Sequence, residues 1–150
     1  QQRRCRTNTI QLTDRLQTGT YAKLQDALPG IRIVQVIHVT AEDAIQEGID
    51  VAPHVHAILL DSGNPSLEKK ELGGTGRTHD WDISRRLRER VNVPVFLAGG
   101  LREDNVAEAL RTVKPYGVDV CSGVRTDGSL DEKKLAAFFR NVRRGAVERL

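Results

Sequence analysis

Apolar residues along the chain fall into short runs separated by amphipathic stretches. Five runs, residues 9–12, 31–39, 56–60, 93–98 and 117–121, are rich in Val, Ile and Leu and lack strict polar alternation. A strand wet on one side would alternate, so these predict parallel strands covered on both faces. Between them the apolar spacing changes to three and four residues, as in Tyr21, Leu24 and Leu28, in Ile83, Leu87 and Val91, and in Val106, Ala109, Leu110 and Val113. That spacing predicts helices over 20–28, 83–91 and 105–113, with Pro29-Gly30 stopping the first and Pro115 beyond the last. Another helix is predicted over 41–48, with Thr40 as its N-cap. The last helix opens at Ser129-Leu130-Asp131-Glu132, a pattern that reads as a capping box with Glu at the third position. Its expected apolar face is Leu135, Phe138, Phe139 and Val142.

Strand and helix therefore alternate five times, which argues for an α/β fold with a parallel sheet and crossover helices. Two architectures fit: a doubly wound open sheet, or part of a (β/α)8 TIM barrel. Periodicity does not choose between them. A complete barrel takes about 250 residues and eight units, so five units cannot close one alone. The length of 150 residues is that of a single domain. Residues 62–80, rich in Gly, Pro, Asn and Ser, are too long for a plain connection and predict a lid or binding loop.

Charge excludes more than it suggests. The net charge of +3 comes largely from Arg3, Arg4 and Arg6 at one end and Arg140, Arg143 and Arg144 near the other, without a stripe or a motif. With only 4% aromatic residues to stack bases, no nucleic-acid partner is expected. Two cysteines, Cys5 and Cys121, make neither a disulfide framework nor a metal-ligand spacing. No apolar signal region follows the first arginines and no run is long enough to span a membrane, so a cytoplasmic protein is expected.

In either architecture ligands meet the C-terminal ends of the strands. The third run ends in Asp61, where a carboxyl is placed either as a general acid or as a turn-capping group. The fourth ends Ala98-Gly99-Gly100-Leu101, either a close backbone approach to a phosphate or simply a tight turn. In the fifth, Asp119 stands inside an apolar strand, where an unpaired charge is costly and calls for a partner or a ligand. Ser122 and Gly123 follow it. Two glycine turns on consecutive strands together favour a phosphate site. Arg77 either pairs with an anion or lies in solvent, and His79 is either an acid or base or an ordinary loop histidine. Trp81 is expected to pack the following helix, and His38 stands in the layer of a site or of a rim. Cys121 has no visible base beside it and is expected to be a small buried residue. Cys5 is expected to be exposed.

Leu59-Leu60-Asp61-Ser62, then Leu72-Gly73-Gly74-Thr75-Gly76-Arg77-Thr78-His79-Asp80-Trp81, then Leu97-Ala98-Gly99-Gly100-Leu101 with Asn105-Val106, then Pro115-Tyr116-Gly117-Val118-Asp119-Val120-Cys121-Ser122-Gly123-Val124 resemble phosphoribosylanthranilate isomerase in order and spacing. The resemblance runs from about Thr9 to Arg144 and makes the five strands the fourth to eighth of a (β/α)8 barrel, ending with the eighth helix. It implies an enzyme of tryptophan biosynthesis that performs an Amadori rearrangement of a phosphosugar with no metal and no cofactor. It implies Asp61 as the general acid, Asp119 as a carboxylate touching substrate, and Gly99, Gly100, Ser122 and Gly123 as the phosphate-binding turns.

Four departures accompany it. The family's base is a cysteine in a Lys-Ile-Cys-Gly-like motif on the first strand, absent here, and the arginine that follows its second strand is absent too. Thr13-Asp14 stands where His-Gly is commoner, and Cys121 and Arg125 stand where many relatives have Ser and Glu. The expectation is an isomerase whose competence depends on an N-terminal part, supplied by association or by a longer chain. The alternative is a non-catalytic phosphate-binding half-barrel that needs a partner or forms an oligomer. Another phosphosugar isomerase or an aldolase is weaker, since none of the five runs holds the lysine that a Schiff-base aldolase requires.

Overall fold

A computed structural model of the chain describes residues 2–63 and 78–147. The elements run α1 (Gln2–Cys5), β1 (Thr9–Leu12), α2 (Tyr21–Ala27), β2 (Arg32–His38), α3 (Asp43–Val51), β3 (Ala57–Asp61), α4 (Trp81–Arg90), β4 (Val95–Leu97), α5 (Val106–Val113), β5 (Gly117–Val118), β6 (Arg125–Thr126), β7 (Ser129–Leu130) and α6 (Glu132–Val147). Strands β1 to β5 form one parallel sheet in the order of the chain. A doubly wound sheet reverses its strand order at a switch point, and this one does not. The fold is a five-unit arc of a (β/α)8-type barrel. Most of the long loop, including the Leu72–Arg77 stretch and Arg77, lies outside the described residues.

Alternation along the strands sorts the core into two unequal layers. Ile33, Ile37 and Val39 of β2 and its end, Ile58 and Leu60 of β3, and Val95 and Leu97 of β4 pack against Ala44, Ile45, Leu87, Val106, Ala109, Leu110 and Phe138 of the helices. The other face carries a smaller cluster, Val36, Leu59 and Ala98, with Val34 and Phe96 beside it. That inner face would line a barrel, and β1 and β5 are its open edges. A polar side chain of β2 is sealed in the outer layer. Gln35 is 1% exposed, accepts from the Tyr21 hydroxyl at 2.9 Å, and donates to the carbonyls of Leu12 and Asp14.

Four local expectations need correcting. The helix expected over 41–48 begins at Asp43 with Glu42 at its cap, and Thr40 does not cap it. The chain first turns through Thr40–Glu42, with the N–H of Ala44 bonded to Ala41 and that of Ile45 to Glu42. Nor is Ser129 a cap. Asp127 (φ 50°) and Gly128 (φ 77°) make a tight turn between β6 and β7, so Ser129 is committed to the ladder opposite Thr126. Asp131 caps α6 instead, its Oδ1 accepting from Lys133 and Lys134 at 3.0 and 3.1 Å. Phe139 is 54% exposed while Phe138 is buried, one helical step apart. The fifth strand pairs only over Gly117–Val118 and not as far as Cys121.

Gly48 of α3 marks the closest approach of two helices, because a Cβ there would lie 2.8 Å from Cδ1 and Cγ of the fully buried Leu87. Alanine is the better helix former by ~1 kcal/mol, but overpacking costs about 1–3 kcal/mol. Gly48→Ala is therefore expected to lower the urea unfolding midpoint. A midpoint equal to or above wild type would show that Leu87 can move aside.

Candidate active site

Parallel register places the residues that end each strand in one row. His38 and Asp61 are direct register partners. The N–H of Ala98 donates to Leu60, and that of Asp119 to Leu97, which carries the row on past β4 and β5. Asp61, Gly99, Gly100, Asp119, Cys121 and Ser122 line one cleft at this end of the sheet. A roomier groove of about 740 Å³ lies between α2 and α3, walled by Arg15, Tyr21, Glu47 and His54. It is on the helix side, and its main polar feature is the Arg15–Glu47 ion pair at 2.7 Å.

Asp61 is 7% exposed at the end of an entirely buried strand. Its Oδ1 accepts from the Ser62 N–H at 2.7 Å. Burial raises its pKa, and the nearby Asp119 adds to the rise. The Ser62 and Gly63 N–H groups and His38 oppose it. The net direction is upward, so the carboxyl holds its proton to higher pH than a free aspartate does, as a general acid must.

The two glycine turns meet this carboxyl from the next strands. Gly99 (φ 82°) and Gly100 (φ 62°) both lie in the left-handed region. A Cβ on Gly99 would stand 2.6 Å from the Ser62 nitrogen and 2.7 Å from its hydroxyl. The α5 helix does not start at this turn. Asn105 bridges the gap, donating to the Gly100 carbonyl at 3.0 Å and accepting from the Arg102 N–H at 2.8 Å. Ser122 and Gly123 open a one-turn 3-10 helix, and a Cβ on Gly123 would collide with the Leu101 carbonyl oxygen. The two turns therefore pack backbone to backbone.

Two residues differ from expectation. Asp119 is exposed rather than sealed in an apolar strand, because β5 ends at Val118. Cys121 is exposed at the cleft rather than a buried filler, for the same reason. Cys5 is exposed, as expected. Trp81 opens α4 and packs on the core, with its Nε1 buried and unpartnered. His79 does not line the cleft. Its Nε2 lies 2.7 Å from the hydroxyl of Ser84, which is fully buried, and burial lowers its pKa to about 4. The sequence reading passed over the contact between His38 Nε2 and the Thr13 carbonyl at 3.0 Å. Its one signal was a histidine closing an apolar strand. Among the described residues, no group of three or more His, Cys, Asp or Glu could hold a metal ion. No helix among them is long and apolar enough to cross a membrane.

The family described as N-(5'-phosphoribosyl)anthranilate (PRA) isomerase matches residues 1–141. The N-(5'-phosphoribosyl)anthranilate isomerase of Haloferax volcanii is 48% identical over 122 residues, covering 79% of this chain and 52% of its own. That of Methanothrix thermoacetophila is 43% identical over 115 residues, 75% of this chain and 52% of its own. Among solved structures, the phosphoribosyl anthranilate isomerase of Thermotoga maritima superposes with a TM-score of 0.74 at 26% identity, over 95% of this chain and 65% of that one. The enzyme from Thermococcus kodakaraensis gives 0.68 at 29%, over 95% and 66%. The chain thus spans about half the length of these curated relatives.

Two outcomes follow from this geometry. Gly123→Ala must push apart two backbone segments, so we expect a loss of about 1–3 kcal/mol in denaturant unfolding. An unchanged midpoint would mean that the turns are not rigidly packed. The His79 ring takes up a proton near 6.5 when unfolded but only near 4 when folded. The unfolded chain binds more protons between those values, so stability falls as pH drops through that window, by at most roughly 3 kcal/mol. His79→Gln is expected to flatten that part of the stability curve, and a curve as steep as wild type would exclude His79 as its source.

Proposed function

The chain belongs to the N-(5'-phosphoribosyl)anthranilate isomerase family, and on that premise we propose that it is the C-terminal portion of such an enzyme, from the fourth strand to the eighth helix, folded as a single domain. The observation that carries the reading is Asp61. It is a buried carboxyl with a raised pKa at a strand end, facing two glycine turns on the next two strands. The substrate is N-(5-phosphoribosyl)anthranilate. Its phosphate sits against Gly99, Gly100, Ser122 and Gly123, and Asp119 contacts the sugar.

Asp61 donates its proton to the ribose ring oxygen as the ring C–O bond breaks, and the amine lone pair closes a Schiff base. A general base then removes the proton from the neighbouring carbon, and tautomerisation gives the aminodeoxyribulose phosphate. Burial suits Asp61 to the first step because it delays loss of the proton. The base belongs to the part of the barrel this chain does not contain, in keeping with the family's cysteine on the first strand. The open edges at β1 and β5 and the thin inner layer are where that part would join. A non-catalytic half-barrel that only binds phosphate would use the same edges, and the fate of Asp61 separates the two.

In a complete barrel carrying this segment, Asp61→Asn should lower kcat by about 10²–10⁴-fold, the usual worth of a positioned acid, with a smaller effect on KM. Loss of phosphoribosylanthranilate reports the rate, and full activity in the variant would remove Asp61 from the mechanism. Stability should move the other way. A carboxyl whose folded pKa is raised costs the fold stability as pH rises through that pKa. Asp61→Asn is therefore expected to raise Tm at pH 7, with the gain vanishing in acid. A lower Tm at pH 7 would mean that the charged carboxylate is favoured in the fold.

A further inference from the structure

Asn105, one of the residues that carry the family pattern, has no part in the chemistry above, yet both ends of its side chain are engaged. Its Nδ2 donates to the Gly100 carbonyl at 3.0 Å, and its Oδ1 accepts from the Arg102 N–H at 2.8 Å. A carbonyl only accepts and a backbone N–H only donates, so the partners assign both ends of the amide. The other donor to the Gly100 carbonyl, Arg102 Nη1, stands at 3.5 Å, the limit of a hydrogen bond. The Arg102 guanidinium is engaged closer by, with Asp104 at 3.1 Å. Asn105 is therefore the firmer hold on that carbonyl.

That hold has a direction. Gly100 and Leu101 line the cleft with Asp61, and Asn105 does not. A trans peptide turns its C=O and the following N–H to opposite edges. With the Gly100 carbonyl drawn to Asn105, the Leu101 N–H is turned the other way, to the side on which the cleft lies. Leu101 is 2% exposed, and among the described residues its N–H donates to no backbone carbonyl. A buried N–H calls for an acceptor. Gly99 and Gly100, both left-handed and without a Cβ, do not fix this peptide by themselves. Asn105 can, because it is seated in rigid structure. Its own carbonyl receives the Ala109 N–H at 3.0 Å, and Val106 and Ala109 are fully buried. Asn141 of α6 donates to the Glu103 carbonyl at 2.6 Å, which pins the segment between the turn and α5.

We propose that Asn105 is a positioning residue of the phosphate site: it holds the Gly100 carbonyl away from the cleft so that backbone N–H groups, the Leu101 N–H among them, face the substrate's phosphate. This deepens the isomerase reading and rests on the glycine turns binding that phosphate. An anion is attracted by N–H dipoles and repelled by carbonyl dipoles, and a turn loosened at Gly100 would offer it both. Asn105 does not itself line the cleft and acts through Gly100.

The test is a titration of the ¹⁵N-labelled 150-residue chain with inorganic phosphate, read at the Gly99, Gly100 and Leu101 amides, in wild type, Asn105→Ala and Asn105→Asp. The affinity measured is that of the folded molecules, so a merely structural loss would lower the unfolding midpoint and leave the affinity alone. Asn105→Ala is expected to weaken phosphate binding by about 3–10-fold, the worth of one hydrogen bond. Aspartate keeps the acceptor for the Arg102 N–H but sets an oxygen against the Gly100 carbonyl, so it should weaken phosphate at least as much. Both variants should move the Leu101 amide signal before any phosphate is added. Undiminished affinity in either variant would overturn the proposal, as would a Leu101 signal that stays in place in both. If the alanine variant fails to fold, the aspartate variant decides by the same two readings. Wild-type amides that ignore phosphate would remove the phosphate assignment of the turns, and with it this role for Asn105. A binding wild type with unaffected variants would sink the role of Asn105 alone. In a complete barrel, Asn105→Ala should raise KM with kcat little changed, the mark of lost ground-state binding. A fall in kcat with KM unchanged would make the role structural and overturn the proposal as well.

Discussion

Everything at the rim of this sheet depends on the pairing of a two-residue side-chain period with a parallel, in-order register. Because β2 and β3 pair Val34 with Ala57, Val36 with Leu59 and His38 with Asp61, the residues that alternate inward form rows across the strands. The lower rows are apolar and the last is not. A slip of one residue on β3 would send Asp61 to the helix side among Leu87 and Val106 and turn Leu60 inward. The outer layer of Ile33, Ile37, Ile58, Leu60 and Leu97, all at most 1% exposed, holds the register. Packing of apolar groups away from the cleft thereby fixes the position of Asp61.

The same burial gives Asp61 its chemistry. An exposed aspartate would be ionised at neutral pH and useless as an acid. At 7% exposure its ionised form is disfavoured, yet the Ser62 N–H at 2.7 Å fixes the carboxyl's orientation. Two opposing influences act on one group: burial keeps the proton on, and the backbone donor and His38 pull toward release. An acid that is to give up a proton during reaction needs both. His79 shows the contrast, since burial against Ser84 with only Asp80 to oppose it leaves that ring neutral well into the acid range.

Much of this was legible in the sequence, and the limits are physical. Runs of Val, Ile and Leu without alternation gave five parallel strands, because covered strands need no polar face. Asp61, Gly99 and Gly100 stood out as candidates by position, since strand ends and glycine pairs leave local marks, and they line one cleft. Strand order was not legible in periodicity, because the pattern of one strand says nothing of its neighbours, and it came only from the family resemblance. The β6–β7 hairpin was missed although Asp127-Gly128 is a hairpin turn signal, because the nearby Ser129–Glu132 pattern offered a competing capping reading. The tethers from Gln35 and His38 to the loop after β1 are long-range contacts that no local pattern encodes.

The misjudged burial of Asp119 and Cys121 follows from one cause. An apolar stretch such as Val118–Val120 reads as an interior strand, and interior means a neighbour on each side. Here β5 pairs only with β4, over Phe96 and Leu97, and beyond Val118 the chain turns away through Ser122–Val124 to bring Gly123 against Leu101. The side chains past the last paired residue then have nothing on their open flank. The polar members of the fifth run, Asp119 and Cys121, therefore lie beyond the paired part of the sheet and line the cleft with Asp61. Asp61 is flanked on both sides, by β2 and β4, which are already in place. On the proposed reading, the part of the site that holds Asp61 is built within this chain, and the base is expected on the part that is not.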